Sequence, residues 1–64
     1  MGIKAILDVC EFYIIDKGQV RDWSELRDII DVKTGFDLSP SKLDIATQQL
    51  VNRIAKRAPH LLAR

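Results

Sequence analysis

The chain of 64 residues has little of what announces a chemistry. Cys10 is its one cysteine, so no disulfide forms within the chain, and Cys10 with the single histidine, His60, cannot supply the four ligands of a structural zinc site. The three glycines are scattered, which excludes a phosphate-cradling loop. His60 follows Pro59 with no acid or nucleophile near it in sequence. Asp8 with Glu11, and Asp28 with Asp31, stand at three-residue spacing but lack a histidine or third ligand group, so they read as solvated surface. No catalytic residue, metal or cofactor is expected, and the chain reads as a non-enzyme.

Long apolar runs are missing too. Lys4, Asp8, Glu11 and Asp16 interrupt the N-terminal segment, which stays far short of the roughly 20 apolar residues that cross a bilayer. Nor does it show the uninterrupted apolar core and small-residue cleavage site of a signal peptide. A cytoplasmic, reducing location with no membrane contact is the expectation, and a lone thiol fits it.

No acidic residue follows Asp44. All nine carboxylates lie between Asp8 and Asp44, whereas Arg53, Lys56, Arg57, His60 and Arg64 follow with nothing to balance them. The net charge is nevertheless only +1. Such one-sidedness suits a nucleic acid or an acidic partner, the negative end of a helix dipole, or charge pairing with an acidic helix of a second copy.

What is present is the composition of a folded domain, 47% hydrophobic and 30% charged. Gly18, Gly35, Pro40 and Pro59 divide it into helices over about 3–17, 22–34 and 40–58, and strand-like alternation is nowhere sustained. The fold expected is all-α, a single small three-helix domain over 1–64 that self-associates, since a chain this short buries little surface alone. In the first helix Ile3, Ile6, Leu7, Cys10, Tyr13 and Ile14 share one stripe. Val9, Phe12 and Ile15 widen the apolar face beyond what one neighbour covers, which points to a dimer or partner interface.

Asp22 and Glu25 form a capping box for the second helix, where Trp23, Leu26, Ile29, Ile30 and Lys33 follow the period. Thr34 and Gly35 stop it, with Phe36 as hydrophobic anchor beyond the cap. Trp23 either closes the core or serves as an interface anchor. Ser39 caps the third helix and Pro40 takes its first position. Leu43, Ala46, Leu50, Ile54 and Ala58 form its stripe, flanked by Ile45, Val51, Ala55 and Leu62, and Pro59 stops it.

The stretch from Leu38 to Arg57, with its Leu-Ser-Pro-Ser lead and basic end, resembles the turn and recognition helix of helix-turn-helix DNA-binding modules, particularly winged types of the MarR kind. The likeness covers about a third of the chain and implies a polar surface of Ser39, Ser41, Lys42, Thr47, Gln48 and Asn52 facing the duplex. Arg53, Lys56, Arg57 and Arg64 would add nucleic-acid or acidic-partner contacts. The chain departs from that pattern in the five residues of Lys33–Asp37, in lacking a wing hairpin, and in its acidic second helix. Two functions are therefore expected as alternatives. One is a non-catalytic regulatory or adaptor protein working through helical protein contacts and homodimerisation; the other is a DNA-binding regulator using helix 40–58.

Overall fold

The structure, a computed structural model, describes residues 2–62. Its helices are α1 (Ile3–Lys17), α2 (Trp23–Lys33) and α3 (Pro40–Arg57), followed by a 3₁₀ turn at Pro59–Leu61. Among the described residues there is no strand, and no helix is long and apolar enough to cross a membrane.

Each boundary has a local cause. Gly18 ends α1 by taking the left-handed conformation, φ 78°, and donating its N–H to the Ile14 carbonyl at 3.0 Å. Asp22 opens α2 by accepting from the Glu25 N–H at 2.9 Å. The capping box is displaced by one residue, because the Glu25 carboxylate accepts from the Arg21 N–H, at 3.2 Å, one step beyond the cap. Ser39 caps α3 through the Lys42 N–H, at a long 3.4 Å. Ala58, held off helical geometry before Pro59, ends α3.

The stop of α2 is a Schellman arrangement, with Phe36 N–H donating to Asp31 O and Gly35 N–H to Val32 O. Gly35 has φ 68° and Phe36 φ 62°. Two successive left-handed residues leave the Phe36 ring 71% exposed, so it is not the anchor expected beyond the cap. Leu38 takes that place, half-buried against the core.

The core joins Leu7, Cys10 and Ile14 of α1 to Leu26 and Ile30 of α2 and to Leu43, Ala46, Leu50 and Ile54 of α3. α3 contacts both other helices and is the element around which they are arranged. Its expected stripe is buried throughout, including Ala58. In α1 the buried stripe is narrower than expected: Ile3 and Tyr13 are exposed. Thr47, expected on the polar surface of α3, is fully buried and donates its hydroxyl to the Leu43 carbonyl at 2.7 Å. This internal bond satisfies the hydroxyl, so the side chain sits in the core without an orphaned polar atom. Burial pushes the Cys10 thiol above its ordinary value, because the interior disfavours the thiolate.

Candidate interaction surfaces

The basic end of α3 is not left without counter-charges. Arg53 pairs with Asp8 and approaches Glu11 at 3.7 Å, while Arg57 Nη1 donates to Glu11 Oε2 at 2.6 Å. These four charges meet because Asp8 and Glu11 stand three apart on α1 and Arg53 and Arg57 four apart on α3, each pair on one helix face. Glu11 is only 7% exposed, which corrects its reading as solvated surface. A carboxylate so buried requires compensation by paired cations. A second cross-helix pair joins Arg27 of α2 to Asp44 of α3 at 2.9 Å.

α1 and α2 are clipped at their other end by Glu25. Lys17 Nζ donates to its Oε1 at 2.6 Å, and Arg21 Nε to Oε2 at 3.3 Å. The Lys17 hydrogen bond, with the Arg21 contacts adding to it against a burial penalty, holds the Glu25 carboxyl below the usual glutamate value.

On the far side of α1 the apolar face remains uncovered. Val9 and Phe12, both expected at an interface, are exposed, Phe12 by 71%. They line one shallow hollow with Asp8, Tyr13, Asp16 and Lys33, and an adjoining hollow is lined by Tyr13, Asp28, Ile29, Val32 and Lys33. Tyr13 and Lys33 are common to both, so a continuous surface runs from α1 onto α2. Lys33 Nζ lies 6.0 Å from the Tyr13 ring centroid, at the edge of cation–π range. Tyr13 and Ile29 follow the periodicity of core stripes and Val32 does not; Tyr13 is exposed, Ile29 half-buried and Val32 60% exposed.

Ile15 lies at the margin of this face, in a hollow that shares Phe12 and Asp16 with it, and Trp23 lies apart from it. Ile15 is half-buried beside Phe12, Asp16 and Arg57. Trp23 lines a separate groove with Val20, Leu26, Val51 and Leu62, where it partly closes the core while leaving an exposed edge. A further apolar hollow lies where α1 begins, lined by Ile3, Leu38, Lys42, Ile45, Ala46 and Gln49.

The outer surface of α3 presents Ser41, Lys42, Gln48, Asn52 and Lys56, all exposed, with Gln48 Nε2 donating to Asn52 Oδ1 at 3.2 Å. Of the residues assigned to a nucleic-acid or acidic-partner contact, Arg53 and Arg57 are engaged by α1, and Arg64 lies outside the described residues. Among the described residues no group of three His, Cys, Asp or Glu side chains is placed to hold a metal ion. No protein-family model matches the chain, and neither a curated protein nor a solved structure matches it.

Proposed function

We propose that this chain is a small non-catalytic regulatory or adaptor protein that acts by presenting helical faces to protein partners, a second copy of itself among them. The observation that supports the reading most directly is the continuous apolar surface of α1 and α2, where Val9, Phe12, Tyr13 and Val32 are all exposed. Exposed apolar side chains gathered on one face, rather than scattered, mark interaction sites. Two aromatic rings at its centre are the residue type that dominates binding energy at protein interfaces. Self-association makes the melting temperature rise with protein concentration. Light scattering and thermal melts from low to high micromolar concentration should show a growing mass and a rising midpoint. A monomer with a concentration-independent melt would remove the self-association part of the proposal.

DNA recognition by α3 is the alternative, supported by the exposed Ser41, Lys42, Gln48 and Asn52 on one helix surface. The burial of Thr47 and the engagement of Arg53 and Arg57 by Asp8 and Glu11 count against it, since each removes a side chain from the contact set.

A further inference from the structure

Two apolar surfaces of this protein carry charged margins of opposite sign. The first is the α1/α2 surface around Phe12, lined by Asp8, Asp16, Asp28 and Lys33. Asp8 is engaged by Arg53 and Lys33 lies by the Tyr13 ring, whereas Asp16 and Asp28 hold no ion pair among the described residues. The second lies at the start of α1 and α3, with exposed Ile3 and Ile45 around half-buried Leu38. Its single charged lining residue is Lys42, which holds no ion pair among the described residues; Asp44 beside it is engaged by Arg27. The two surfaces share no lining residue and belong to one helical body, so neither can cover the other within a single chain.

Resting on the self-association reading, we infer that the acidic-margined α1/α2 surface of one copy receives the Lys42-margined surface of the next, in a head-to-tail contact. Charge complementarity carries the choice of occupant. Two α1/α2 surfaces facing each other would gather two copies each of the unpaired Asp16 and Asp28 with only one Lys33 per copy, whereas the Lys42 surface brings cation to carboxylate and apolar centre to apolar centre. Such a contact is heterologous and does not close at two copies: it continues into rings or open chains.

Complementation between blocked variants tests this directly. Val9→Gln with Phe12→Gln blocks the first surface, and Ile3→Gln with Ile45→Gln blocks the second; all four positions are exposed, and circular dichroism checks that each variant folds. Wild type should show species beyond the dimer in sedimentation velocity, diminishing as salt is raised. Each variant alone should lose association at least about tenfold, as expected for removing buried apolar anchors. An equimolar mixture should restore one contact of wild-type strength and stop at a one-to-one complex, because one intact surface of each sign remains. A mixture no more associated than its components, with the Ile3/Ile45 variant still dimeric, would overturn the inference in favour of a closed two-fold dimer. A wild type that stays monomeric would overturn the self-association reading itself and this inference with it. Should a Gln variant fail to fold, Lys42→Gln replaces it for the second surface, and unchanged salt sensitivity in that variant would equally overturn the head-to-tail contact.

Discussion

Asp22 and Ser39 do the same job at the starts of α2 and α3, but the Asp22 bond is 2.9 Å and the Ser39 bond 3.4 Å, beyond the usual range for N–H to oxygen. Asp22→Ala should therefore cost about 1 kcal/mol and Ser39→Ala about half that, read as shifts in a denaturation midpoint. Equal costs would show that the Ser39 hydroxyl tightens in solution. Phe36 offers the opposite kind of change. A left-handed conformation costs a residue with a Cβ about 1 kcal/mol, and the exposed ring recovers little of that by packing. Asn tolerates this conformation, so Phe36→Asn should stabilise the fold by about 1 kcal/mol, or raise the melting temperature by about 5 °C in a domain this small. An unchanged or lower midpoint would show that the ring has packing partners.

At the scale of elements, the helices are held in register by ion pairs that span the sequence. Glu25 ties the start of α2 to the end of α1, and its carboxyl is lowered chiefly by the Lys17 hydrogen bond. A group with a depressed folded value contributes stability that is complete above the unfolded value, about 4.3 for glutamate, and is lost as pH falls through the folded one. The difference in melting temperature between wild type and Glu25→Gln should thus be largest above about pH 5 and shrink progressively on acidification below about pH 4. A difference that is constant with pH would mean the pair makes no net contribution. In the middle of α1, Glu11 holds Arg57 and, more distantly, Arg53, so two adjacent turns of α3 are anchored through one buried carboxylate. This clasp was not legible from sequence. Asp8 and Arg53 are separated by 45 residues and Glu11 and Arg57 by 46, and helix spacing shows which charges share a face but not which faces meet.

For the whole molecule, the same clasp alters what a nucleic acid would encounter. Four phosphate contacts by Arg53, Lys56, Arg57 and Arg64 would give log affinity against log salt a slope of about −3.6. With Arg53 and Arg57 held by α1 carboxylates, two contacts remain and the slope should be about −1.8, if duplex binding is measurable at all. Asp8→Asn with Glu11→Gln frees both arginines and should steepen it. A slope near −3.6 in the unmodified protein would show that the ion pairs open on DNA and would favour recognition by α3. No retention on DNA at low salt, in either form, would leave the basic end of α3 as a structural clasp to α1.

The amino-acid sequence by itself determined the helices and their ends. The left-handed glycine at 18, the Asp22 cap and the Ser39–Pro40 start act within a few residues, so their outcome is local. It also determined the α3 core stripe, since Leu43, Ala46, Leu50, Ile54 and Ala58 recur at helical spacing and are all buried. Only the tertiary structure decided which polar residues go inside and which apolar ones stay out. Thr47 and Glu11 are buried because a carbonyl one turn back and two arginines across an interface satisfy them; Phe12 and Tyr13 are exposed because α2 and α3 cover one side of α1 and leave the other open, and Val32 is exposed on the face of α2 beside that open side. Those outcomes depend on the pairing of faces far apart in the chain, and periodicity within one helix carries no information about it.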